Sequence, residues 1–492
     1  MRELYLSHRG ILRRMSVEPV GEVPVTPGNS SPHLNRWVTG AALAVLLALA
    51  VIVFWPSHTL DTLDRPEESL ERVVSRDMEF RAAAAAAPAW ERRLHVLAFS
   101  SDAAARADAI AWYEELVEDE GAPLAELYRI VLLAEDGQTD AVGATMAAWA
   151  PGNDEWAGRL ASWAAAAYGA TSPPPDDLRA ALDGVRREIP AGWFRDRIVA
   201  RLAVRLGDAA TQAESERAIE TRGRRMLWRL RGILIGEVLL VVIGVAALAA
   251  WLWDRRARAG PVANAPIPPA WTGWDGTGLF ARGALGLVGV ALLWQVLPDR
   301  SWSIVLVSAL QTVPLGYYLV WYSARSGTTL GEMFGLRVAA PARGTFIWAT
   351  LGLIGVSTLA DVLIDTAGTW GGVETHWTDG FQERLVWGSA GAVGADVLDS
   401  CVFAPVLEEL QFRGLLYGTL RLRLGPLPAA VVSAMLFALA HGYGVVGFVS
   451  VFLSGALWAL AYERTRSLLP GMLAHAASNV QATLIVLLTL RF

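Results

Sequence analysis

The sequence predicts an all-α protein: a polytopic bundle of about nine transmembrane helices with one soluble helical domain inserted into it. Two observations support this fold class. Of the 492 residues, 53% are hydrophobic, and many lie in runs of about 20 residues, which is long enough to cross a bilayer as a helix. Between the first two runs, residues 57–225 instead show apolar positions that recur with the period of an amphipathic helix.

The predicted spans are, in chain order, 37–55, 233–253, 279–297, 304–322, 346–363, a segment from about 387 through 408, 427–441, 445–462 and 470–490. We interpret the first span, 37–55, as an uncleaved signal anchor, because no pattern of small residues typical of a cleavage site follows it. Residues 1–36 contain several prolines and little periodicity, which predicts a flexible cytoplasmic tail.

The soluble domain, residues 57–225, contains helical stretches that begin at Asp or Pro and are separated by Gly, Pro or Ser. This pattern predicts antiparallel helix pairs, either as a repeat solenoid or as a generic helical bundle. We expect the last helix to run on from about Asp208 into the second span, 233–253. The domain is a candidate surface for a protein partner. A proline-rich linker, residues 260–275, follows the second span.

Arginines next to the spans predict the orientation. Most of them lie on the side that is cytoplasmic if the N-terminus is inside, as the positive-inside rule requires. The cluster from Arg222 to Arg231 does not fit, but it flanks a loop so long that the rule loses force. The predicted location is the bacterial cytoplasmic membrane, multi-pass, with a cytoplasmic N-terminus; the Ala- and Arg-rich composition indicates a bacterial source.

Three motifs near the C-terminus place polar groups where a membrane span normally has none. They are Glu408-Glu409-x-x-x-Arg413, Phe437-x-x-x-His441 and His475-x-x-x-Asn479. A charge at membrane depth costs roughly 2.5 to 3.5 kcal/mol on insertion scales, so such a cluster indicates function.

Helical geometry brings these groups together. Glu409 and Arg413 are four residues apart and can pair, whereas Glu408 is rotated by about 100° and is free for another role. Glu408 precedes the turn at residues 424–425 by as many residues as His441 follows it, so the two should lie level in an antiparallel hairpin. His475 and Asn479 share one helix face.

The three motifs, in this order on successive spans, resemble those of the CAAX prenyl protease and bacteriocin-processing (CPBP, Abi) family of intramembrane endopeptidases. Trp274-Asp275 and Phe334-Gly335-Leu336-Arg337 resemble bacterial members of that family. The resemblance covers about 275–492, so residues 276–492 are the expected protease domain. Residues 57–225 lie outside it.

The resemblance implies a glutamate-based peptidase with six site residues. Glu408 and His441 would polarise a water molecule, and His475 and Asn479 would donate to the oxyanion. Glu409 and Arg413 would hold the geometry. The expected substrate is a membrane-associated protein or peptide within the lipid bilayer.

Other functions remain open from the sequence. Glu408, His441 and His475 are also a three-ligand set of the kind that catalytic zinc uses, although HExxH is absent and we expect no cofactor. A non-enzymatic scaffold or immunity-type protein and an ion-coupled transporter are alternatives from other classes. No basic recognition module indicates nucleic-acid binding. The single cysteine, Cys401, excludes an intrachain disulfide.

Overall fold

The structure is a computed structural model that describes residues 34–53, 60, 63–149, 152–253, 261–296, 304–373 and 375–492. The predicted tail, residues 1–36, lies outside this range except for residues 34–36. The far ends of the predicted spans 37–55 and 279–297 also lie outside the described residues.

The described chain is all-helical, as predicted, and contains no strand within these ranges. An apolar helix, α1 (Arg36–Val53), precedes the helical domain. That domain consists of α2 (Pro66–Ala85), α3 (Ala89–Ala98), α4 (Asp102–Glu120), α5 (Pro123–Glu135), α6 (Thr139–Ala148), α7 (Glu155–Tyr168), α8 (Pro175–Glu188) and α9 (Trp193–Leu206).

The rest of the chain forms the helix bundle. Its elements are α10 (Ala209–Trp253), α11 (Gly273–Val296), α12 (Ile304–Ser326), α13 (Leu330–Met333), α14 (Arg343–Trp370), α15 (Glu383–Trp387), α16 (Ala390–Leu420), α17 (Pro426–Leu439), α18 (Val445–Thr465) and α19 (Leu469–Arg491). Each predicted span falls on one of these helices or on α1.

Five helices are long and apolar enough to cross a membrane, judged by length and composition over the described residues. They are α19, α18, α16, the helix Ala340–Trp370 that contains α14, and Ala209–Trp251 within α10. Arg36–Ala48 and Pro426–Leu439 are shorter apolar helices.

The helical domain follows ordinary helix-start and helix-end chemistry. Proline occupies the first turn of α2, α5 and α8, where its missing N–H costs nothing. The Ser101 hydroxyl caps α4 by accepting a hydrogen bond from the Ala104 N–H at 3.2 Å.

Aromatic rings form the centre of the domain core. The rings of Tyr128 and Phe194 stack with centroids 4.1 Å apart, and Tyr113 is fully buried against both.

Helix α10 joins the domain to the bundle. It runs without interruption from Ala209 to Trp253, so the helix predicted to continue from about Asp208 into the second span is confirmed. Outside the apolar run, Arg222 of α10 pairs with Glu79 of α2 and with Asp196 of α9, the latter at 2.6 Å.

Within the bundle, α10 and α14 pack closely against each other at glycine residues on both helices. A Cβ atom at Gly244 would stand 2.9 Å from the Leu351 carbonyl oxygen and would collide with the Gly355 Cα. Further along, Gly352 lies against the Leu248 backbone. Small residues allow this close backbone approach, which is a common way to associate helices in a membrane.

The connection between α14 and α16 (residues 371–389, of which 371–373 and 375–389 are described) lies between the helical domain and the bundle. The Trp377 ring belongs to the core of the helical domain. His376 Nε2 lies 3.0 Å from the Glu115 carboxylate on α4, and Trp387 donates its indole N–H to the Ser69 hydroxyl on α2 at 3.1 Å. The domain is therefore held by α10 and by this connection, and Arg72 of α2 also donates to the Leu490 carbonyl oxygen at the end of α19, at 3.2 Å.

We expect Gly244→Ala to destabilise the bundle by about 1–3 kcal/mol, because the added methyl forces two backbones apart. The matched control is Gly236→Ala on the same helix, where an added Cβ meets nothing within 4 Å. Unfolding of the full chain in mixed micelles, followed by circular dichroism over an SDS titration, measures both. Equal losses for the two variants would contradict the close packing of α10 against α14.

Candidate active site

Three helices bring the predicted site residues together. Helix α16 carries Glu408, Glu409 and Arg413, and α19 carries His475 and Asn479. His441 lies in the turn just after α17. Its Nε2 is 3.9 Å from the Glu408 Oε2, so the two groups expected to lie level do meet.

Helix α16 is not a regular α-helix around these residues. Two π-helical segments, Asp399–Phe403 and Glu409–Tyr417, flank the single α-helical turn Ala404–Glu408. Such segments are rare and occur often at functional sites. The regular spacing assumed from the sequence missed them, although Pro405 was an available signal, since a proline inside a helix removes one backbone donor.

Glu409 and Arg413 form the inner part of the site. The Arg413 Nη1 is 2.8 Å from the Glu409 Oε1, and both side chains are completely buried. The guanidinium carbon lies 4.0 Å from the ring centroid of Phe437 and 5.0 Å from that of Trp458. Aromatic faces attract a desolvated cation, so the carboxylate and the two rings together stabilise the arginine charge.

His475 connects the inner carboxylate to the outer one. Its Nδ1 lies 3.3 Å from the Glu409 Oε1, and its Nε2 lies 3.6 Å from the Glu408 Oε2. An ionised carboxylate only accepts, so Nδ1 donates to Glu409. The ring also stacks on Trp458, with centroids 4.4 Å apart, which fixes the imidazole plane.

Glu408 and His441 form the outer part, and both are partly accessible: the side chains are 29% and 24% exposed. The Nδ1 of His441 lies 2.8 Å from the Phe437 carbonyl oxygen, which only accepts, so this nitrogen carries the proton. The Nε2 of a neutral ring then turns an acceptor toward Glu408. The separation of 3.9 Å between Nε2 and the carboxylate is too long for a direct hydrogen bond and suits a bridging water.

Asn479 has a partner outside the carboxylate–imidazole cluster. Its Nδ2 donates to the Ser400 carbonyl oxygen at 2.7 Å. In the π-helical segment the Ala404 N–H bonds to the Asp399 carbonyl, so the Ser400 carbonyl would next require an N–H from Pro405, which has none. The amide of Asn479 supplies the missing donor and ties α19 to α16.

Sequence reasoning missed the residues that enclose the inner pair. Trp458 covers both Arg413 and His475. Two glycines leave space for the Glu409–Arg413 pair. A Cβ atom at Gly455 would stand 2.6 Å from the Arg413 Nη2, and one at Gly471 would stand 2.9 Å from the Glu409 Oε2. Only a helical wheel of α18 and α19 against α16 could have indicated these positions.

The zinc ligand set proposed from the sequence was Glu408, His441 and His475. Among the residues that the structure describes, no group of three or more His, Cys, Asp and Glu side chains is arranged to hold a metal ion. His475 also directs one ring nitrogen to each of two carboxylates.

Comparison with known proteins identifies the segment that carries the site. Residues 392–481 match the family model described as type II CAAX prenyl endopeptidase Rce1-like. This segment belongs to the CAAX prenyl protease and bacteriocin-processing family. The match contains all six predicted site residues, whereas the helical domain lies outside it. No curated protein and no solved structure matches this chain.

In this family segment, Arg413→Ala should destabilise the protein by about 3–5 kcal/mol, because it leaves the buried Glu409 charge without its partner. The unfolding transition of the full chain in mixed micelles measures the loss. The double variant Glu409→Gln/Arg413→Ala removes both charges and should recover part of the stability. A double variant that is less stable than Arg413→Ala would contradict the compensation of charge within this pair.

Proposed function

We propose that the protein is an intramembrane endopeptidase that hydrolyses peptide bonds with a water molecule activated by Glu408. Membership of the CAAX protease family supports peptidase activity. The observation that carries the glutamate mechanism is the pairing of Glu408 with His441 across 3.9 Å, at the accessible edge of an otherwise buried polar cluster.

In the proposed reaction, one water molecule donates one O–H to the Glu408 carboxylate and the other to the His441 Nε2. A lone pair of the water oxygen then faces the substrate. Glu408 takes the first proton as the oxygen attacks the peptide carbonyl carbon, and the carbonyl electrons move onto the carbonyl oxygen. Collapse of this tetrahedral intermediate breaks the C–N bond, and Glu408 returns its proton to the leaving amine.

The remaining site residues position and stabilise these groups. Glu409 and Arg413 hold His475, which in turn lies against Glu408. For the oxyanion we propose the second N–H of Asn479, since its first N–H is engaged by Ser400, together with the Nε2 of a protonated His475. Donors fixed before the reaction are the most effective stabilisers of an oxyanion.

The proposed substrate is a membrane-associated protein or peptide. The catalytic cluster lies among apolar helices, so a substrate segment has to enter from the bilayer or from the water layer next to it. A bacterial host would present no prenylated proteins, so we propose that the site does not require a prenyl group. Residues 57–225 are the candidate surface for a protein partner, and we propose that neither a nucleic acid nor a metal cofactor takes part.

Glu408→Gln should lower the cleavage rate by roughly 10²- to 10⁴-fold, the contribution of a general base, while expression and folding stay unchanged. The assay follows a library of quenched fluorescent peptides with purified protein in lipid vesicles. The matched control is Glu237→Gln, another glutamate within an apolar helix but outside the cluster. A near wild-type rate for Glu408→Gln would refute the glutamate mechanism.

The same assay tests the role of metal. Incubation with 1,10-phenanthroline should leave the wild-type rate unchanged. Loss of activity that zinc then restores would replace the glutamate mechanism with the metal-dependent one.

For the topology, we propose a cytoplasmic N-terminus and a helical domain on the outer side of the bacterial cytoplasmic membrane. On a Cys401→Ala background, a membrane-impermeant maleimide added to intact cells should label Ser101→Cys in the helical domain. It should not label Gly425→Cys in the turn between α16 and α17. Both positions are exposed, so the reverse labelling pattern would overturn this orientation.

A further inference from the structure

Large apolar side chains are exposed at the end of the bundle that faces the helical domain. Trp228 on α10 and Trp370 on α14 are 69% and 66% exposed. On α3, Trp90 is 65% exposed and Leu94 is 44% exposed. The level of this face of α3 along the bundle decides what surrounds it.

The packing of α10 against α14 gives that level. The two helices are antiparallel, because Gly244 lies against Gly355 while Leu248 lies against Gly352. Trp228 precedes Gly244 by as many residues as Gly371 follows Gly355. Both helices rise by about 1.5 Å per residue, so Trp228 and Trp370 lie at almost the same height.

Helix α3 is fixed at this same height. The Glu91 carboxylate accepts two hydrogen bonds from the Arg231 guanidinium, at 2.7 and 2.8 Å. Arg231 in turn lies over the Trp228 ring, 4.6 Å from its centroid. Glu91 is buried, whereas its neighbour Trp90 and the residue one turn on, Leu94, share the exposed face.

The surroundings identify what covers this face. From Arg231 toward the bundle centre, α10 exposes a continuous apolar surface that includes Leu234, Ile235, Val238 and Leu239. Tryptophan is enriched where such a lipid-facing surface meets the headgroups. Arg93, exposed beside Trp90 and Leu94, suits the phosphates at that boundary.

We propose that α3 is a membrane-interface helix, and that its Trp90–Leu94 face binds the phospholipid headgroup region next to the ends of α10 and α14. This contact is a further attachment of the helical domain, in addition to its contacts with α10, with the connection 371–389 and with the end of α19. It would set the inclination of the domain relative to the bilayer, and it does not depend on the peptidase mechanism.

The test uses the full chain on a Cys401→Ala background with a single cysteine carrying an NBD fluorophore. Protein is reconstituted in phosphatidylethanolamine and phosphatidylglycerol vesicles, with or without lipid that bears a doxyl quencher near the headgroup. A probe at Leu94→Cys should be quenched at least about twofold more strongly than one at Glu118→Cys, because an interfacial helix buries its apolar face about 5–10 Å deep. Glu118 is exposed on α4 of the same domain.

Equal quenching at the two positions would overturn the proposal. Leu94 and Glu118 are both exposed, so neither label disturbs a core. If another copy of the chain covers this face instead, the fluorescence at Leu94→Cys will not be quenched by the doxyl lipid and will change with the protein-to-lipid ratio. That result would also overturn the proposal. A Val242→Cys probe on the lipid-facing surface of α10 confirms that the quencher reaches the protein.

Discussion

The buried ion pair between Glu409 and Arg413 is the constraint on which the rest of the carboxylate–imidazole cluster depends. Charges withdrawn from water need close compensation, because desolvation costs several kcal/mol for each ion even after relaxation. Groups on four helices provide this compensation: the Glu409 carboxylate, the rings of Phe437 and Trp458, and the imidazole of His475. The requirement also explains Gly455 and Gly471, since any larger residue would occupy the space of the charged groups.

Burial of this pair leaves Glu408 as the accessible carboxylate. It is adjacent in sequence to Glu409, yet it lies at the rim beside His441. His475 touches both carboxylates, so the position of the outer one depends on the inner one through a single ring. In the proposed mechanism, Glu409 therefore holds the structure of the site and Glu408 carries out the chemistry.

The sequence was sufficient to predict the helical class, the continuous α10 and the meeting of Glu408 with His441. These features depend on residue spacing along regular helices, which a count along the chain captures. The sequence was not sufficient to predict the π-helical segments. One extra residue in a helical turn leaves the overall spacing of apolar residues almost unchanged, so the sequence pattern does not reveal it. The partner of Asn479 follows from that irregularity and from Pro405, and the covering ring of Trp458 comes from a helix with no motif of its own. Contacts between distant helices leave little trace in one sequence.

Helix α10 is a continuous rod that carries the helical domain at one end and the glycine contact with α14 at the other. Its 45 residues extend about 68 Å at the ordinary rise of an α-helix. Such a rod fixes rotation as well as distance. One residue inserted between Arg231 and Gly244 would turn the domain by about 100° around the bundle, and His376 would then face away from Glu115. The number of residues in α10 therefore has to match the position of the connection 371–389. Insertion or deletion of a single residue in α10 would change which side of the bundle the domain covers.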